Sequence, residues 1–214
     1  MPLILGTNSI KDTGFNVANS LRFNDDDSPM LQITPSSSAT NSKKMTISFW
    51  CQRSNLGING RIFSADTSDS NSNRDSLFFD SNDKLYLFLD NGSPGNLRTN
   101  RLFRDVSAWY HIVIAIDTTQ STNTNRVKFY INGVQETSFD SSGDGIVYPS
   151  QNYDIVGFGQ NGREATIGAD TDNGGNDNEF DGYLAELVFI DGQQLDPTSF
   201  GEFDSDSPNI WRPI

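Results

Sequence analysis

A chain of 214 residues, 35% of them apolar, can fill the core of one large all-β domain. Its formal net charge of −13 argues against nucleic acid and anionic membranes as partners, because phosphate binding needs clustered Lys and Arg, and the sequence has no such cluster. With one cysteine, Cys51, and one histidine, His111, an intrachain disulfide is excluded and a zinc centre disfavoured.

Residues 1–18 read as an N-terminal arm, apolar over Met1-Pro-Leu-Ile-Leu-Gly6 and polar at Lys11-Asp-Thr-Gly14. The apolar run lacks a basic flank and is too short for a signal peptide, and no stretch approaches a membrane span, so a soluble protein made without classical secretion is expected. Ser20-Leu-Arg-Phe23 and Met30-Leu-Gln-Ile33 flank Asp25-Asp-Asp27 as a hairpin-like start, followed by a Ser-rich loop over 35–44. Strands are expected at 45–51, 60–64, 75–80 and 84–89, then an edge-like segment over 97–102. Trp109-Tyr-His-Ile-Val-Ile-Ala-Ile116 is strongly apolar. Val127-Lys-Phe-Tyr-Ile131 precedes Asn132-Gly133, a dipeptide suited to a two-residue hairpin turn, with a further strand over 134–139. Short strands at 154–157 and 164–168 lead to a polar loop over 170–179.

Phe180-Asp-Gly-Tyr-Leu-Ala-Glu-Leu-Val-Phe-Ile-Asp-Gly-Gln-Gln-Leu195 is the last long strand. Strict alternation places Tyr183, Ala185, Leu187 and Phe189 on one face and Leu184, Glu186, Val188 and Ile190 on the other. A strand apolar on both sides is expected at the centre of a sheet covered by a second one. The fold expected is all-β, a two-sheet antiparallel sandwich or jelly roll over residues 19–203, with 204–214 as a C-terminal tail. No Pro- or Gly-rich linker and no internal repeat divides the chain.

Met45-Thr-Ile-Ser-Phe-Trp50, Trp109-Tyr-His-Ile-Val113, Val127-Lys-Phe-Tyr-Ile-Asn-Gly133, Ala165-Thr-Ile-Gly168 and Phe180-Asp-Gly-Tyr-Leu-Ala-Glu186, in this order, resemble the concanavalin A-like superfamily. The resemblance is to its laminin-G-like and pentraxin-like jelly rolls and spans residues 20–192. The flanks Ser20-Leu-Arg-Phe-Asn-Asp-Asp-Asp-Ser28, Thr34-Pro-Ser-Ser37 and Ile190-Asp-Gly-Gln-Gln-Leu-Asp-Pro-Thr-Ser-Phe-Gly-Glu202 look like lectin-like modules in virion proteins of tailed, particularly aquatic, bacteriophages. The resemblance implies a non-enzymatic virion protein, a capsid decoration (cement) protein docked on the major capsid protein or neighbouring subunits, with a homo-oligomer as one form. The alternative is a carbohydrate-binding adhesin on a tail or head fibre, recognising host surface glycans. The arm residues Pro2, Leu3, Ile4 and Leu5 are the candidates for particle docking, by lying on a partner or adding a strand to a sheet edge, or they form the sandwich's own first strand.

Calcium is the candidate cofactor. Two oxygen-rich loops suit a hard cation, 66–75 with Asp66, Asp69, Asn71, Asn73 and Asp75, and 170–179 with Asp170, Asp172, Asp177 and Glu179 as the expected ligands. The family's calcium sites lie at loop ends, and a solvated acidic loop is the competing reading. Tyr148, Tyr153, Phe158 and Asn161 are candidate contacts for a glycan or for a neighbouring subunit. The superfamily's glycosidases carry a Glu-x-Asp-x-x-Glu pattern on one strand face; here Glu179-Phe-Asp181 is followed by Leu184 where the third acid would fall. Asp181 is therefore assigned to the turn before Gly182, and Glu186 to a buried or edge hydrogen bond. His111 and Cys51, both within apolar strands, are expected to be structural.

Overall fold

The computed structural model describes residues 19–67, 70–89, 95–143, 145–170 and 178–214, and their strands form two six-stranded antiparallel sheets and a two-stranded ribbon. The first sheet runs from edge to edge as β1 (Leu21–Phe23), β12 (Gly182–Asp191), β3 (Lys44–Arg53), β8 (Tyr110–Asp117), β9 (Val127–Ile131) and β10 (Val134–Glu136). The second runs as β2 (Leu31–Ile33), β11 (Glu164–Ile167), β4 (Gly60–Thr67), β5 (Ser70–Phe79), β6 (Lys84–Leu89) and β7 (Gly95–Leu102). The ribbon pairs β13 (Gly201–Phe203) with β14 (Trp211–Pro213).

Two-residue periodicity builds the core. Met45, Ile47, Phe49 and Cys51 on β3, Ile112, Ile114 and Ile116 on β8, and Val127 and Phe129 on β9 point inward from the first sheet. They meet Leu77 and Phe79 on β5, Leu85, Leu87 and Leu89 on β6, and Leu97 on β7. The expected sandwich is thus observed. β12 closes it beside β3, and β7 is an edge strand, as its sequence indicated. Asn132 and Gly133, both at positive φ (48° and 78°), form the tight turn between β9 and β10. Cys51 is buried, and burial pushes its thiol well above the usual range, leaving an inert side chain.

Five local expectations change. β1 and β2 do not form a hairpin: they pair with β12 and β11, in opposite sheets. The Asp25–Asp27 turn, ended by Ser28 in the left-handed region (φ 46°), carries the chain across. In β12 a bulge between Ala185 and Val188 reverses the alternation, so Leu184, Leu187 and Phe189 share the core side while Ala185 and Val188 both face outward. Glu186 is exposed at the bulge, at φ 48°, with no buried role. Residues 154–157 form no strand, because the Asp75 carboxylate accepts the Gly157 and Phe158 amides (2.8 and 2.9 Å) that a strand would give to a ladder. The expected C-terminal tail, 204–214, carries β14, which pairs with β13 and contacts the first sheet through Trp211 and His111. The arm, 1–18, lies outside the described residues.

Phe49 is fully buried opposite the bulge, where the neighbouring strand cannot slide to fill a void. Phe49→Ala is expected to lower the unfolding free energy by about 4 kcal/mol in urea titration, with an unchanged dependence on denaturant.

Candidate functional site

The outer face of the first sheet mixes polar and apolar residues and is covered. Thr46, Ser48, His111, Val113 and Ala115 all point away from the sandwich core, yet each is buried. The cover is the chain after β12. The Leu195 amide donates to Thr46 Oγ1, whose hydroxyl donates to the Gln193 carbonyl, both at 2.8 Å. The Pro197–Ser199 turn is capped by Asp196, which accepts the Thr198 amide at 2.9 Å. The ribbon then drives Trp211 into the sheet.

Trp211 Nε1 donates to His111 Nδ1 at 2.8 Å, and His111 Nε2 lies 3.0 Å from Ser48 Oγ. An indole nitrogen can only donate, so Nδ1 is the acceptor, the ring proton sits on Nε2, and Ser48 accepts it. The imidazole stacks on Trp50, ring centres 4.8 Å apart, and lies edge to edge with Trp211, ring centres 5.9 Å apart and planes 19° from parallel. Burial holds His111 down at about 4, so the ring is neutral at physiological pH. Two glycines make room for Trp211: a Cβ on Gly133 would lie 2.3 Å from its ring, and one on Gly201 2.6 Å. The hydroxyl within reach of His111 is that of Ser48, and it faces the protonated Nε2, so in this arrangement the ring is a buried hydrogen-bonding group and not a base toward Ser48.

Beside this stack opens a cavity of about 380 Å³. All three tryptophans of the chain, Trp50, Trp109 and Trp211, line it, with Ala185 and Pro213 as further apolar surface and Asn19, Ser20 and Arg212 as polar groups. Ala185, the last residue before the bulge, faces outward directly opposite Trp50, where a larger side chain would fill the floor. Trp109 is 38% exposed and Tyr183 37%, their rings 6.4 Å apart, so the aromatic surface continues beyond the cavity mouth. The volume lies within the range of about 300–1,000 Å³ usual for small-molecule sites, and apolar walls with few polar groups are the usual lining. Among the described lining residues there is no carboxylate, histidine or cysteine, so the chemistry offered is stacking and hydrogen bonding.

The two nearby cations are already paired. Arg212 meets Glu202 at 2.6 Å and Asp204 at 3.4 Å; Arg22, whose guanidinium lies 5.3 Å from the Tyr183 ring centre, meets Asp181 at 2.5 Å. Asp181, assigned to a turn from the sequence, serves an ion pair, and the residues just before Gly182 form no turn.

A family model described as the concanavalin A-like lectin/glucanases superfamily, of laminin G type, matches residues 25–195. The chain belongs to this superfamily. No curated protein matches it significantly. Among solved structures, the SAP-like heptameric pentraxin of Limulus polyphemus is similar at TM-score 0.53 and 19% identity over 81% of this chain and 72% of its own. The CBM40 of Ruminococcus gnavus IT-sialidase, bound to α2,3-sialyllactose, is similar at TM-score 0.53 and 11% identity, over 80% and 96%. The NanB sialidase of Streptococcus pneumoniae is similar at 0.56 and 14%, over 84% of this chain but only 26% of the enzyme. At such identities the likeness shows the fold. Family and neighbours bear on the lectin-like half of the expectation; the virion setting rests on the flanking sequence motifs alone.

The superfamily member's expected sites are scattered. Asp170 is fully buried and its Oδ2 lies 3.0 Å from Arg74 Nη1 and 3.3 Å from Arg61 Nε, so two guanidiniums occupy the place a cation would take. Glu179 accepts from Ser28 Oγ at 3.0 Å. Asp69, Asp172 and Asp177 lie outside the described residues, and no group of three or more metal-ligating side chains occurs among those described. Of the four expected calcium ligands, the two that are described, Asp170 and Glu179, are thus engaged by protein groups. Phe158 is corrected from loop contact to core: it is fully buried and stacked 4.9 Å from Phe63, because Asp75 pins its amide inward. Tyr148 and Tyr153 are half-buried against the core, while Asn161 is exposed with its amide on Ser38 Oγ. Pro2, Leu3, Ile4 and Leu5 lie outside the described residues.

Sequence reasoning missed the tryptophan cavity. The available signal was Trp211 itself, since an indole that large within a polar terminal segment calls for a buried partner.

The folded His111 is harder to protonate than the unfolded chain's, so between pH 6.5 and about 4 the unfolded state binds more protons. Its contribution is therefore fully present above pH 6.5 and is lost as pH falls toward 4, by about 3 kcal/mol across the window. Thermal melts at stepped pH should show this loss, and His111→Gln should flatten the profile in that window.

Proposed function

We propose that the chain is a carbohydrate-binding module that holds a glycan in the three-tryptophan cavity, without catalysis. The convergence of Trp50, Trp109 and Trp211 on one open cavity carries the reading. A sugar ring presents C–H groups on its faces and hydroxyls around its rim. Indole faces remove the former from water, while the Asn19 and Ser20 side chains and the Trp indole edges are suited to the latter. The rigidity of the wall supports the reading: Trp211 is held by His111 and Trp50 is stacked on the same ring, so little side-chain freedom is lost on binding. The superfamily's lectin-like character and the sialyllactose held by the similar CBM40 also support it. On a phage particle, the setting implied by the flanking motifs, such a module would attach the particle to host surface polysaccharide.

The test is a glycan array followed by calorimetric titration of the retained glycans. Trp109 lies at the mouth and is 38% exposed, so Trp109→Ala should leave the melting temperature near the parent value. It should cost about 2 kcal/mol of binding, roughly thirtyfold in Kd. An array without hits, or a Trp109→Ala variant that binds as the parent does, would contradict the proposal.

A further inference from the structure

We infer that the cavity selects uncharged glycans and discriminates against those bearing a carboxylate, such as sialylated or uronate-containing chains. The inference rests on the carbohydrate reading and adds the charge class of the ligand to it.

Recognition of a carboxylate by protein side chains needs a cation free to meet it, best a guanidinium offering two parallel N–H groups. Both guanidiniums at this aromatic surface are committed elsewhere. Arg212 is held between Glu202 and Asp204, and Arg22 is held by Asp181. Three carboxylates thus answer two cations before any ligand arrives. Glu186, exposed at the bulge next to Ala185, lines the adjoining groove and adds a fourth acid to the surroundings of the cavity. The remaining described lining is neutral: three indoles, Ala185, Pro213, Asn19 and Ser20. An anionic ligand would enter a locally negative field on a chain of net charge −13, and would have to displace a carboxylate from Arg212 or Arg22 to find a partner. A neutral ligand meets the aromatic walls without that cost. The arginines on the outer face of the second sheet supply no alternative, since Arg61 and Arg74 share Asp170, and Arg98 sits 3.2 Å from Asp140.

Matched probes test this: lactose against 3′-sialyllactose, and galactotriose against trigalacturonate, titrated into the full chain and into Trp109→Ala. The neutral member of a pair should bind in a Trp109-dependent manner. The charged member should bind about tenfold more weakly at low salt, and the gap should narrow at about 0.5 M NaCl, where screening is short-ranged. Glu202→Gln releases one partner of Arg212. Because Glu202 is a surface residue, the fold should persist, and affinity for the charged member should rise about threefold or more while the neutral one is unchanged. Charged probes binding as tightly as neutral ones through Trp109 would overturn the inference and leave the carbohydrate reading intact. Binding by none of the four probes, or binding indifferent to Trp109, would count against both.

Discussion

The hydrogen bond from the Trp211 indole to His111 Nδ1 closes a second, smaller core on the outer face of the first sheet. A sandwich buries one face of each sheet and leaves the other to water, yet here the outward residues of β3 and β8 include Trp50, Val113 and Ala115. Such a face is stable only if covered, and a polar His111 within it is tolerable only if both ring nitrogens find partners. Ser48 and Trp211 supply them. The terminal ribbon is thereby fixed against the sheet, Gly133 and Gly201 let the indole approach closely, and the space left beside it becomes the cavity. Fold stability, the pH response and the aromatic wall of the cavity thus meet at one imidazole.

The bulge in β12 is the second constraint. Without the extra residue, Leu187 and Phe189 would face the cover instead of the core. With it, the core keeps its large apolar residues, and Ala185 is left as the outward residue there, small enough to leave room between Trp50 and Trp211. A local irregularity in one strand therefore shapes the site as much as any of the aromatic residues does.

Much of the sandwich was legible in the sequence because alternation is a direct record of which face is wet. β3, β6, β8 and β9 fall within about two residues of their expected spans, and Asn132-Gly133 turns as that dipeptide favours. What was hidden depends on contacts distant in sequence. Alternation across β12 could not reveal the bulge, since Glu186 fits either phase of an apolar strand. Residues 154–157 read as a strand until Asp75, 82 positions before Gly157, takes the amides. Phe158 looked like a loop aromatic for the same reason. The site was hidden most completely, because Trp50, Trp109 and Trp211 come from three separated stretches and no local pattern joins them. Membership of the superfamily was legible, but a fold shared by pentraxins, laminin modules and sialidase accessory domains does not choose among ligands; the cavity's own residues have to.

The most direct measurement is a crystal structure of the chain with a glycan retained on the array. The account predicts a sugar ring lying against the exposed face of Trp109, within the cavity bounded by Trp50 and Trp211, with its rim hydroxyls toward Asn19, Ser20 or the indole edges. A glycan bound instead on the outer face of the second sheet, or at the loops carrying Tyr148 and Asn161, with the tryptophan cavity empty, would contradict it.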